Sequence, residues 1–63
     1  MAFTLKQARL INEKSQAEMA EMLGIHVNTY RHLEEKPDEA TISQAKKISE
    51  FLKIPYNDIF FAD

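Results

Sequence analysis

The sequence predicts an all-α fold: a compact bundle of five short helices containing a helix-turn-helix. Three observations predict it. At 63 residues without cysteine, neither disulfides nor thiolate metal sites can staple the chain, which leaves regular helix packing or a partner chain. A hydroxyl residue stands three positions ahead of Gln or Glu at Thr4, Ser15 and Thr41, each time before apolar residues with a period near 3.6. The helix breakers are few: Gly24, Pro37 and Pro55.

Thr4-Leu5-Lys6-Gln7 is a capping box, and Phe3 stands where a hydrophobic staple falls. The helix it opens is expected to run to about Glu13, with Leu5, Ala8 and Ile11 inward. Ser15-Gln16-Ala17-Glu18 opens a short second helix with Met19, Ala20 and Leu23 inward. Gly24 ends it, because the left-handed conformation favoured just past a helix C-terminus costs glycine nothing. After the connector Gly24-Ile25-His26, a third helix spans about Val27 to Glu35, with Tyr30 and Leu33 on one face. Val27, Asn28, Arg31 and His32 fall on the opposite face. Lys36-Pro37-Asp38-Glu39-Ala40 reads as a loop, since Pro37 bars simple continuation. Thr41-Ile42-Ser43-Gln44 opens the fourth helix, expected to bury Ile42, Ala45, Ile48 and Leu52 with Phe51 beside them. Pro55 breaks it, and a last helix from Tyr56 to about Phe61 is unusually apolar at Ile59, Phe60 and Phe61.

Composition narrows the function classes. No apolar run approaches the roughly 18 residues of a membrane span, and MAFTLKQARL lacks the apolar core of a signal peptide. The expected location is the cytoplasm, with no membrane partner. His26 and His32, six residues apart, lie about 120° from each other round a helix, which disfavours a two-histidine metal site. Met19 and Met22 read as core filler and helix surface rather than as ligands. No Ser/His/acid set, glycine-rich phosphate loop or pair of buried carboxylates supports an enzyme, so no cofactor, metal or small-molecule substrate is expected. The net charge of −2, with pI near 5.6, is not the basic footprint usual for nucleic-acid binding. Residues 1–36 carry five basic and five acidic groups and residues 37–63 three and five, so a DNA-binding reading rests on geometry.

That geometry lies between Gln16 and Glu35. A short helix, a three-residue turn on Gly24 and a second helix form a helix-turn-helix. Ala20 is small where the second helix crosses, and Met19, Leu23, Ile25, Tyr30 and Leu33 can fill the wedge between the two. Ser15-Gln16, Met19-Ala20, Leu23-Gly24-Ile25, Thr29-Tyr30 and Leu33-Glu34 together resemble the lambda-repressor/Cro-like, or Xre, family. Ile48-Ser49-Glu50-Phe51-Leu52 and Ile54-Pro55-Tyr56-Asn57-Asp58-Ile59-Phe60 resemble its fourth and fifth helices. The resemblance implies a five-helix lambda-repressor-like domain over residues 1–63, similar to small phage Cro-like regulators that bind operator DNA as dimers. Departures are Glu13 and Lys14, where the family often has glycine and an apolar residue, and Tyr30, where an aliphatic residue is common. Lys53 replaces a usual glycine, and the turn Glu35 to Glu39 is acidic where the family's is often basic.

In a helix-turn-helix the second helix presents its N-terminal residues to bases. The candidate DNA-binding residues are therefore Gln16, His26, Val27, Asn28, Thr29, Arg31, His32 and Lys36. Asn28 and His32 are neighbours at i, i+4, and asparagine can pair with adenine through N6 and N7. Val27 could touch a thymine methyl, although a lone surface valine is ordinary. The family resemblance makes Gln16 a phosphate ligand, and Arg31 and Lys36 are further phosphate candidates. His26 reads as the N-cap of the third helix, and so as structural or phosphate-facing. The resemblance also implies a partly buried ion pair between Arg9 and Glu34. It implies a homodimer formed through Tyr56, Ile59, Phe60 and Phe61, which would read an inverted repeat with half-sites about 34 Å apart. The competing expectation is a helix-turn-helix protein-interaction module, antirepressor or antitoxin-like, to which the acidic pI and acidic turn point.

Overall fold

The structure, a computed structural model, describes residues 3–60. It has helices α1 (Leu5–Ile11), α2 (Gln16–Leu23) and α3 (Val27–Glu35), then a 3-10 turn (Pro37–Glu39), then α4 (Ile42–Leu52) and α5 (Tyr56–Phe60). All three capping boxes form. The Gln7, Glu18 and Gln44 amides donate to Thr4 Oγ1, Ser15 Oγ and Thr41 Oγ1 at 3.0 Å, and each long side chain accepts the N-cap N–H in return. The stretch after α3, read as a loop, winds into the 3-10 turn with Pro37 at its first position, where the missing N–H costs nothing.

Leu5, Ala8, Met19, Ala20, Tyr30, Leu33, Ile48, Leu52 and Ile59 form one core drawn from all five helices. Full burial of a side chain such as Leu5 or Ile48 is worth about 1.5–3 kcal/mol. α2 and α3 pack most extensively on each other. α5 closes the other end, tied back by the Phe3 amide donating to the Asp58 carbonyl at 2.8 Å.

Two expected core residues lie outside. Ile11 is 59 % exposed, because the buried stripe of α1 runs through Leu5, Ala8 and Arg9 and residue 11 sits about 120° from residue 5. Ile42 is 68 % exposed, since it lies about 90° from the stripe made by Ala45, Ile48 and Leu52. Phe51 flanks that stripe on the other side, with the Lys14 ammonium 5.2 Å from its ring centroid. Leu23 is half-buried rather than fully inward. α1 also stops at Ile11, short of Glu13, which takes a left-handed φ of 56°.

Arg9 is the buried charge of the core, and it meets Glu34 of α3. Its Nε donates to Glu34 Oε2 at 2.5 Å, its Nη2 reaches Oε1 at 3.5 Å, and its Nη1 donates to the Lys14 carbonyl at 2.9 Å. The two side chains are 8 % and 7 % exposed. Removing one member of such a pair strands the other, so Arg9→Ala is expected to cost about 3–5 kcal/mol, whereas a double apolar replacement is near neutral. A domain this size has stability of the same order. Urea denaturation of Arg9→Ala and of Arg9→Met with Glu34→Leu checks this. An unchanged midpoint for Arg9→Ala would show that the pair carries nothing.

Candidate nucleic-acid interface

The turn between α2 and α3 is closed by backbone alone. Gly24 sits at φ 70°, ψ 32°, and the Ile25 N–H donates to the Ala20 carbonyl at 3.0 Å. His26 then caps α3, its Nδ1 accepting the Asn28 N–H at 3.1 Å. Nδ1 must therefore be bare, which places the proton of the neutral ring on Nε2. The cap begins α3 in one place relative to α2, and so fixes which residues its N-terminal turns expose.

Asn28, Thr29, Arg31 and His32 are exposed on that face, as is His26 beside it. Val27 is not fully on it. It precedes Tyr30 by three residues, only about 60° away round the helix, and is half-buried against the core. Lys36 is exposed but lies roughly 13 Å further along the axis, where it serves as C-cap. His32 is engaged by the turn that follows α3, its Nε2 lying 2.7 Å from Glu39 Oε1. Ile59, expected at a dimer surface, is 6 % exposed and belongs to the core, whereas Tyr56 and Phe60 are half-buried with ring centroids 5.3 Å apart. Phe61 lies outside the described residues.

Sequence reasoning missed a chain of polar contacts that joins the buried ion pair to this face. Gln16, half-buried at the start of α2, donates from Nε2 to Glu34 Oε1 at 3.0 Å. Its Oε1 accepts from Arg31 Nε at 3.0 Å, and Arg31 Nη1 donates to Asn28 Oδ1 at 2.8 Å. The i, i+3 spacing of Asn28 and Arg31 was a signal for the last link. Nothing in the sequence marked Gln16 as the bridge between helices, and both polar atoms of its side chain are engaged within the chain.

The charges are tuned by the same contacts. Desolvation pushes the Glu34 carboxyl up, but the hydrogen bond from Arg9, the neighbouring Tyr30 hydroxyl, the hydrogen bond from Gln16 and the charge of Arg9 outweigh it and hold it below its ordinary value. The hydrogen bond to Glu34 raises Arg9 further. Burial, then Glu34, raises the Tyr30 phenol, whose hydroxyl is enclosed beside the pair without a hydrogen bond of good geometry. Among the described residues no group of three or more His, Asp or Glu is placed to hold a metal ion, and no helix is long and apolar enough to cross a membrane.

Compared with known families, the chain matches the helix-turn-helix family over residues 5–59. It belongs to the lambda-repressor-like, or Xre, branch of helix-turn-helix proteins, a family of DNA-binding regulators. Neither the curated proteins nor the solved structures gave a match.

A pH dependence follows from Glu34. Its carboxyl titrates lower folded than unfolded, so its contribution is complete above the ordinary value of 4.5 and is lost as pH falls through the lower folded value. Exposed Glu18 is also lowered, by the Ser15 backbone N–H first, and remains as a background. Urea midpoints followed downward from about pH 5 should fall, with a shallower fall in Glu34→Gln. Equal acid limbs would exclude Glu34 as a source.

Proposed function

We propose that this chain is a sequence-specific transcriptional regulator of the phage Cro/repressor type, acting in the cytoplasm on operator DNA. α3 lies in the major groove. The observation that carries the reading is the exposed polar face Asn28, Thr29, Arg31 and His32 at the N-terminal turns of α3, held at a fixed angle by the Gly24 turn and the His26 cap. Asn28 is the principal base contact, and the exposed edge of Val27 offers a methyl surface. His26 Nε2–H, the free amides at the start of α2 near Gln16, and Lys36 face phosphates. Two copies join through Tyr56, Phe60 and Phe61, so that the operator is an inverted repeat.

Selection from random duplex DNA at low salt, followed by binding measurements, tests this. Asn28→Ala should lose roughly 1–3 kcal/mol against the preferred base, and Lys36→Ala should weaken all sequences about equally. Few cations border the face, so the salt dependence should be shallow for this class. A folded protein that selects no sequence would instead be the protein-interaction module, for which the acidic turn carrying Glu39 against His32 is the supporting feature.

The dimer has its own test. Sedimentation of the operator complex should give two chains per operator, and Phe60→Ala should weaken assembly, with urea denaturation of the free protein separating that loss from the stability lost where Phe60 packs on the core. One chain per operator at saturation would exclude the dimer.

A further inference from the structure

We propose that Asn28 and Arg31 act as one donor-rich, positively charged unit that reads guanine, so that each operator half-site carries a G·C pair beneath them. This rests on the DNA-binding reading above and deepens it. The argument begins at the buried end of the polar chain. A carboxylate only accepts and a guanidinium only donates. Glu34, held by Arg9, therefore obliges Gln16 to turn Nε2 toward it, at 3.0 Å. The Gln16 Oε1 is then left for Arg31 Nε, also at 3.0 Å. Arg31 in turn obliges Asn28 to present Oδ1, at 2.8 Å from Nη1. Neither amide can be flipped without setting donor against donor or acceptor against acceptor.

What faces a ligand is the Asn28 Nδ2 amide with the outer N–H groups of Arg31, a cluster dominated by donors, while the second lone pair of Asn28 Oδ1 lies beside the guanidinium. An isolated asparagine would pair with adenine, giving a proton to N7 and accepting one from the N6 amino group. Here one lone pair of the acceptor it needs is taken by Arg31, and the positive charge of Arg31 opposes the approach of an amino group to the other. Guanine presents N7 and O6, two adjacent acceptors, on its major-groove edge; adenine and cytosine each present an amino donor there, and thymine a single acceptor beside a methyl. Guanine alone offers this donor-rich unit an acceptor at both atoms with no amino group set against the guanidinium. Arg31 is thus a specificity-determining residue, although at the sequence level it reads as a phosphate contact.

The test is selection and sequencing from random duplex DNA on the wild-type protein, Asn28→Ala and Arg31→Met, with helical circular dichroism confirming that each is folded. Both positions are exposed. The operator position whose preference Asn28→Ala abolishes should be guanine in the wild type. In Arg31→Met, which frees the Asn28 oxygen, that preference should move from guanine to adenine, by about tenfold or more. Replacing that guanine by 7-deazaguanine, which removes N7, should weaken wild-type binding several-fold and leave Asn28→Ala with Arg31→Met unaffected. Adenine at the wild-type position, or an unchanged guanine preference in Arg31→Met, would overturn the inference and leave DNA binding standing. A folded wild-type protein that selects no sequence would overturn the DNA-binding reading and this one with it.

Discussion

The ion pair between Arg9 and Glu34 is the constraint on which the arrangement of helices depends. The backbones of α1 and α3 make few close approaches, so two long side chains span the gap between them. Burying both charges costs several kcal/mol per ion before any return, and the mutual attraction offsets this only if the remaining polar atoms are satisfied. Here they are. Arg9 also reaches the Lys14 carbonyl, which pins the segment between α1 and α2, and Glu34 also accepts from Gln16 at the start of α2. Three helices and one connector thus converge on a single pair of charges. An apolar substitute of the same volume could match its stability, but it would lack the directional hydrogen bonds that tie α3 to α1, to α2 and to the connector between them.

That distinction matters because the core is small. Met19 and Tyr30 are fully buried and Leu33 nearly so, yet apolar contacts are non-directional, whereas a hydrogen bond lost from a buried charge is expensive. The ion pair, together with the buried Tyr30 and Leu33, sets which side of α3 faces inward, and hence which residues are exposed. The Gly24 turn and the His26 cap set where α3 begins. Rotation and start point together define the exposed face.

Much of this was legible in the sequence, and what was not has a physical reason. The helix starts were legible because capping boxes are local, needing only residues three apart, and all three formed as the sequence indicates. The αL positions were half legible. Glu13 and Lys53, each at φ 56°, stand where related sequences often carry glycine, so two departures from the family pattern fall on left-handed residues. The phase of each buried stripe was less legible. Period alone allowed Ile11 and Ile42 to be inward, and only the packing partners decide which of two adjacent stripes is used. The same limit applies to Ile59 and Phe60, adjacent residues of which one enters the core and the other stays at its edge. The Gln16 bridge was illegible, because it joins residues 15 and 18 positions apart through long flexible side chains.

The bridge also changes what binding must cost. Arginine is among the side chains with most rotamer freedom to lose, and fixing such a side chain at an interface costs about 0.5–1.5 kcal/mol. Arg31 is already held by Gln16 and Asn28 in the free protein, at bonds individually worth about 0.5–1.5 kcal/mol each. Part of the ordering that a partner would otherwise demand is therefore met on folding, and is anchored at a carboxylate that solvent scarcely reaches. The link is directional. Each donor and acceptor is assigned by the one before it, beginning from two charges whose protonation does not change near neutral pH. In a chain with net charge −2, long-range attraction to a polyanion is weak, so under the DNA-binding reading proposed above the orientation of side chains before contact carries more of the recognition, and the contacts that orient Arg31 start from the buried pair.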